Sequence, residues 1–129
     1  MNLDERKAQA RTRTFKAVFP SDTNHYDTLF GGTALQLMDE VAFIAATRFT
    51  RERCVTVSSD KVNFKKPIPT GSLIELDAQI GKVGNSSIEV LVDVYKESMY
   101  EDQREVALHG SFILVAIDED KKPIKLGYV

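Results

Sequence analysis

The sequence has no tryptophan, one cysteine and two histidines among its 129 residues, and each shortage removes a class of chemistry. A lone thiol, Cys54, cannot form an intrachain disulfide. With only His25 and His109 as further soft ligands, no zinc-knuckle spacing can be assembled and no structural metal is indicated. No apolar run is long enough to cross a bilayer, and the opening MNLDERKAQA is charged throughout, unlike a signal peptide. The cytoplasm is therefore the expected compartment, with no membrane partner. Charge of one sign is not in excess either: 17 Lys and Arg against 19 Asp and Glu leave a formal net charge of -2, too little basicity for a broad nucleic-acid surface. What is present, 43% hydrophobic and 28% charged residues, is the make-up of an ordinary globular domain long enough for one core.

The chain is organised around residues 20–49. An irregular polar loop ends at Gly31-Gly32, and from Thr33 the apolar residues Ala34, Leu37, Met38, Val41, Ile44 and Ala45 recur at helical spacing with no breaker, predicting a buried helix to about Phe49. At about 100° per residue, Gln36, Glu40 and Thr47 form one narrow polar stripe. Asp39 falls outside it, among Leu35, Ala42, Phe43 and Ala46. A carboxylate on or beside a buried face needs partners, because burial disfavours its charged form. Two readings stay open at this point: a residue at the stripe's boundary, solvated or tied to a backbone amide, and a general base or nucleophile in a largely dry pocket.

Residues 1–12 read as a polar N-terminal tail or short helical arm, and residues 13–129 as a single domain. Thr14 to Phe19 predicts a first strand, ended by Pro20, and the dozen residues that follow form a loop of a length that tends to carry function. Beyond the helix, Cys54 to Phe64 reads as a strand whose alternation changes phase, which predicts a bulge near Ser58 to Lys61. Lys65 to Gly71 is a turn with two prolines. Ile74, Leu76, Ala78 and Ile80 alternate with polar residues up to a hairpin at Gly84-Asn85; Ile88 to Val94 and Arg104 to Ile117 are the remaining strands. One long apolar helix with five strands is an α+β domain, and a helix apolar over so much of its surface requires an antiparallel sheet curled around it. The edges of such a sheet predict pairing with another copy.

Three blocks, PSDTNHYDTLFGGTALQLMDE, VTVSSDKVNFKKPIPTGSLIEL and GKVGNSSIEVLVDVY, resemble in order the acyl-CoA thioesterases of the hotdog fold, over roughly residues 14 to 117. The resemblance implies hydrolysis of a fatty acyl-CoA to free acid and CoA, in a homodimer that assembles further into a trimer of dimers. It implies no cofactor, since coenzyme A is itself part of substrate and product. Carried over by position, Asp39 falls on the family's catalytic carboxylate and Asn24 on the asparagine that faces it across the dimer. Gly31 and Gly32, at the helix start, would offer unpaired amides to the thioester oxygen. Read without the resemblance, the two glycines are simply a tight loop-to-helix junction and Asn24 an ordinary turn residue. CoA would lie along Lys65, Lys66, Gly84, Ser86 and Ser87, which supply cations, hydroxyls and exposed amides.

An enoyl-CoA hydratase of this fold would carry a histidine five residues beyond the carboxylate, where this chain has Ile44. A thiol nucleophile at Cys54 has no histidine placed beside it. The remaining alternative is a non-catalytic acyl-CoA binding or sensing protein with the same fold and pocket.

Overall fold

A computed structural model describes residues 1–128. The chain runs through α1 (Leu3–Ala10), β1 (Thr12–Ala17), one 3-10 turn (Pro20–Asp22) and α2 (Gly31–Thr50), then β2 (Arg53–Phe64), β3 (Ser72–Val83), β4 (Ser87–Ser98) and β5 (Arg104–Ile117). The strands form one antiparallel sheet in the order β1-β3-β4-β5-β2. Its inner face is set by alternation: Ile74, Leu76, Ala78, Val90, Val92, Val94, Leu108, Phe112, Leu114 and Ala116 are buried. They enclose the Ala34, Met38, Val41, Ala42, Ala45, Ala46 and Phe49 side of α2. Four of those seven helix residues are alanines, so the helix axis can approach the sheet closely. On β5 the packing is tight at Gly110, where a Cβ would lie 2.9 Å from Met38 Cε and 3.2 Å from Val62 Cγ2.

The expected helix, the hairpin at Gly84-Asn85 and the last strand all form. The bulge on β2 forms as well: its register with β5 shifts between Thr56 and Ser58 and again between Asp60 and Asn63, with Lys61 at φ 53°. Two features sharpen the sequence expectation: of the two readings of the N-terminal residues the helical arm forms, and the first strand begins at Thr12 rather than Thr14. Residues 3–10 are a docked helix, capped by the Asn2 side chain, which accepts from the Glu5 amide at 2.8 Å, and anchored by buried Ala10. Strand β1 begins at Thr12, between Arg11, which caps α1, and Arg13, two cations that pair with Asp77 on β3, so charge hides the strand's start in the sequence. The Arg11 guanidinium, held at 2.6 Å, keeps the Asp77 carboxyl below the usual carboxylate range.

Strand β2 is a different kind of edge. It runs twelve residues, all but Cys54 and Val62 exposed, and bares Val55, Val57 and Phe64 to solvent. A long edge with exposed apolar side chains is the surface on which sheets pair.

Candidate active site

Helix α2 begins without a cap. Phe30 occupies the cap position and donates no side-chain acceptor, and the first amide with a partner is Ala34 N, 2.9 Å from Phe30 O. The amides of Gly31, Gly32 and Thr33 therefore point out of the helix with no acceptor among the described residues. Neither glycine has a positive φ. A Cβ on Gly32 would meet nothing within 4 Å, and one on Gly31 would make only an ordinary 3.6 Å contact with the Phe64 ring. The junction itself thus does not require glycine, and what the pair provides is bare backbone beside open space.

That space is a cavity of about 350 Å³ between the start of α2 and the turn after β2. Its floor is apolar, from Leu29, Ala34, Ile68 and Leu108, and its rim carries Lys65 and Lys66. The two lysines are not equivalent. Lys66 Nζ is 2.8 Å from Glu105 Oε2, and Lys96, which donates to Pro67 O at 2.7 Å, flanks the same carboxylate at 3.6 Å. The Lys66 ammonium accordingly holds Glu105 below the usual carboxylate range. Lys65 has no ion pair among the described residues and remains available to an anion. A second cavity, about 360 Å³, lies behind this rim, but its Lys96, Arg104, Glu97, Glu101 and Glu105 lining mixes both charges and reaches no helix amide.

Asp39 lies on the side of α2 that faces the exposed strand β2. Its Oδ1 accepts a 2.6 Å hydrogen bond from the Thr56 hydroxyl. Glu40 points to solvent as expected. Within one chain Asp39 is half-buried rather than sealed, because nothing covers α2 beyond the β2 edge: the neighbouring Phe43 is 45% exposed. Thr56 was not among the residues singled out from the sequence. An exposed threonine in a strand reads as an ordinary β-former, and the only available signal was parity, which puts it on the same side of β2 as buried Cys54.

Asn24 sits in a loop closed by the Thr23–Leu29 bridge. Its Oδ1 accepts from Tyr26 N at 2.9 Å and Thr28 N at 3.2 Å, which fixes the amide orientation. No hydrogen bond joins Asn24 to Asp39 in the chain, among the described residues. Gly32 and Asp39 are seven residues apart on one helix, roughly 10 Å along its axis. Gly84, Ser86 and Ser87 lie further off. Lys65 N and Lys66 N bond Ala107 O, whereas Ser86 O accepts from Ala116 N. Those two β5 residues are nine apart, roughly 30 Å of strand, so one chain brings Gly31, Lys65 and Lys66 together and leaves the hairpin at the other end of the sheet.

The remaining reactive side chains stand outside this region. His109 pairs its Nδ1 with Asp93 at 2.6 Å on the outer face of the sheet. Cys54 is buried beside Thr50, and burial pushes its thiol up, away from reactivity. His25 stacks against Tyr26 in the loop. Among the described residues no cluster of His, Cys, Asp and Glu is arranged to hold a metal, and no helix is long and apolar enough to cross a membrane.

The model of the thioesterase superfamily matches residues 26–102, a stretch that contains the open helix start, Asp39, Thr56 and both lysines. The chain belongs to the thioesterase superfamily. Its similarity extends to an uncharacterized acyl-CoA thioester hydrolase, YkhA, of Bacillus subtilis, 42% identical over 107 residues. That match takes in 83% of this chain and 62% of the relative, so the chain spans about three fifths of the relative's length. Among solved structures, an acyl-CoA hydrolase from Staphylococcus aureus, in complex with butyryl coenzyme A, coenzyme A and coenzyme A disulfide, superposes with a TM-score of 0.89 at 34% identity, covering 93% of this chain and 73% of that one. The same hydrolase has been solved with an aspartate, an asparagine and a threonine each replaced by alanine. A hexameric thioesterase from Yersinia pestis matches with a TM-score of 0.82 at 33% identity, over 88% of this chain and 92% of that chain. The sheet wrapped on α2 is thus the hotdog fold, and this thioesterase-superfamily chain presents its uncapped helix at the mouth of an amphipathic cavity.

Proposed function

We propose that this protein hydrolyses the thioester of a fatty acyl-CoA, releasing free acid and CoA, with no cofactor beyond the CoA of its substrate. The observation that carries this reading is the open start of α2. Three free amides and the positive end of the helix dipole adjoin a cavity with an apolar floor and a lysine rim. A thioester carbonyl directed at those amides is polarised, and the negative charge that develops on its oxygen is stabilised in place. The phosphates of CoA meet the rim at Lys65 and Lys66, while the apolar floor takes the arm that leads to the thioester.

Asp39 then activates water or attacks the thioester itself, and the Thr56 hydroxyl, by donating to Oδ1, orients the carboxylate and leaves Oδ2 free for that task. Support for Thr56 as well as Asn24 and Asp39 comes from the S. aureus enzyme. The asparagine, aspartate and threonine replaced there are spaced by fifteen and then seventeen residues. Asn24, Asp39 and Thr56 have the same spacing.

Within one chain Asp39 stands roughly 10 Å along the helix from the free amides, too far to attack a carbonyl held there. The site is completed by a second copy docked along β2, whose exposed apolar edge adjoins both Asp39 and Thr56. In that two-fold arrangement Asn24 and Gly32 of one subunit face Asp39 of the other, and the remote hairpin with Gly84, Ser86 and Ser87 reaches CoA bound to a different subunit from its own. Three such dimers make the hexamer, acting in the cytoplasm.

Free-thiol release from acyl-CoAs of graded chain length tests the activity and names the substrate; a non-catalytic acyl-CoA sensor would bind them without release. Subunit hybrids test the shared site. Asn24→Ala and Asp39→Ala homodimers should each be severely impaired. Refolded together at random they should recover roughly a quarter of wild-type activity, since about half the dimers are hybrids with one intact site. Hybrids that form by mass spectrometry yet stay inactive would defeat the shared-site reading.

A further inference from the structure

Helix α1 packs on α2 and β3, toward the β1 side of the sheet and away from the β2 edge. Between α1 and the last turn of α2 lies a cavity of about 290 Å³ whose charged lining is Arg6, Arg48 and Arg51, with no carboxylate. The chain as a whole has 19 acidic residues against 17 basic ones, so three cations around one space with no acid among them depart from its average. Glu5 and Glu52, next to Arg6 and Arg51 in sequence, do not line the cavity. None of the three arginines has an ion pair among the described residues.

Capping accounts for part of this cluster. Arg48 donates to Gln9 O, Arg11 O and the Thr12 hydroxyl, and Arg6 donates through Nη2 to Phe49 O and the Tyr128 hydroxyl. Cations at a helix C-terminus also complement its dipole. Two facts are left over. The Arg6 Nε is buried without an acceptor among the described residues, and the Arg51 side chain lines the cavity with no hydrogen bond of its own among them. Three like charges sharing one partly enclosed space repel each other, and that repulsion is less screened than at an open surface.

We propose that this cavity is a binding site for a phosphate group carrying two or more negative charges. Guanidinium forks match phosphate oxygens, and an anion of that charge offsets the mutual repulsion of the three arginines where a single chloride would leave most of it. Phe49, the aromatic residue of the lining, is 2% exposed and offers no free face for stacking, so recognition is of the phosphate and not of a nucleobase. Arg48 lies nine residues beyond Asp39, roughly 13 Å along the axis of α2. A bound phosphate therefore bridges α1 to α2 and stabilises their junction without touching the groups assigned to hydrolysis. The site is independent of the hydrolysis reading and distinct from the lysine rim.

The test is calorimetry and thermal unfolding in about 150 mM chloride, with inorganic diphosphate and glycerol 3-phosphate as probes and sulfate as a control for generic anion binding. The wild type should bind one probe per chain and gain several degrees in thermal midpoint at saturation, with diphosphate preferred if the natural ligand is a free polyphosphate and glycerol 3-phosphate if it is a phosphate ester. Gln9→Glu places a carboxylate in the lining that satisfies the arginines from within. It should weaken probe binding by on the order of tenfold or more, abolish the midpoint shift, and leave the midpoint without probe undiminished. Arg51→Gln, which removes one cation with no other side-chain bond, should weaken binding as well, at unchanged assembly mass. Lys65→Ala/Lys66→Ala should bind the probe as the wild type does, and saturating probe should leave the midpoint gain intact in that variant. No binding to the wild type overturns the proposal, as does equal binding of sulfate. Binding that survives Gln9→Glu and Arg51→Gln but is lost in the double lysine variant also overturns it, assigning the phosphate to the rim.

Discussion

At its C-terminal end α2 is tied to the rest of the chain, whereas at its N-terminal end the same helix is left bare. Arg51 closes the last turn in a left-handed conformation, its amide 2.7 Å from Thr47 O. Arg6 of α1 donates to Phe49 O at 3.2 Å and to the Tyr128 hydroxyl, and stands over both rings. Arg48 reaches back to Gln9 O, Arg11 O and the Thr12 hydroxyl at 2.8–3.0 Å. Nothing comparable happens at Gly31, where the amides lack partners and the neighbouring surface is a cavity. Orphan carbonyls at one end are satisfied by the fold, and orphan amides at the other have no acceptor among the described residues and are open to the cavity. The comparison separates the groups that make the helix stable from those that make it useful, and each can be altered without the other.

The largest effect should come from the middle of the helix. Asp39→Asn keeps the shape and the Thr56 contact but cannot act as base or nucleophile, so kcat should fall by roughly a hundred- to ten-thousandfold. Folding and CoA binding should persist, and Glu40→Gln, on the solvent side, should be mild. Near wild-type turnover in Asp39→Asn would remove the carboxylate from the mechanism.

At the tied end the loss should be structural. Phe49 is 2% exposed and stacks on Tyr128 with ring centroids 5.0 Å apart. Phe49→Ala should cost about 3–5 kcal/mol by denaturant titration, while the molecules that remain folded keep their kcat. A variant as stable as wild type but inactive would blur the two ends.

How much of this was legible in the sequence follows the same division. The body of α2 could be read from its 3.6-residue apolar period because its burial is one-sided and uninterrupted. The β2 bulge could be read because Val55 and Val57 fall on one parity and Val62 and Phe64 on the other. Helix α1 did not stand out as a docked element, since Arg6 and Arg48 hold it through guanidinium contacts to carbonyls and rings, which leave no hydrophobic stripe. Thr56 was invisible because its hydrogen bond to Asp39 joins two elements, a juxtaposition no local pattern records. The distance between the Lys65-Lys66 turn and the Gly84 hairpin was hidden as well, because both are turns of one sheet and only strand direction places them at opposite ends.

A smaller effect, of opposite sign in stability and activity, is expected at the bare end. Gly32→Ala introduces a Cβ with no neighbour within 4 Å and a better helix former, so stability should hold or rise by up to about 1 kcal/mol. Hydrolysis should nonetheless fall by roughly tenfold, because the methyl group stands where substrate or the partner subunit approaches the amides. A stabilised variant with full activity would show that the bare backbone has no role in the reaction.

The smallest effect distinguishes the two rim lysines. Lys66 must leave Glu105 before it can meet a phosphate, while Lys65 gives up nothing. Lys65→Ala should raise KM for acyl-CoA roughly two- to fivefold, the scale of an exposed ion pair, and Lys66→Ala by less, both with kcat nearly constant and both weakening as salt is added. Glu105 is held below the ordinary carboxylate range by Lys66, so it is charged from that ordinary range upward. The pair is therefore present throughout neutral pH and is lost only as pH falls through the lowered value. The inequality between the lysines should accordingly be independent of pH near neutrality and should vanish in Glu105→Gln, where Lys66 is released to the phosphates and KM drops below wild type. Equal KM changes for the two lysines in the presence of Glu105 would mean that the carboxylate does not compete with CoA for Lys66.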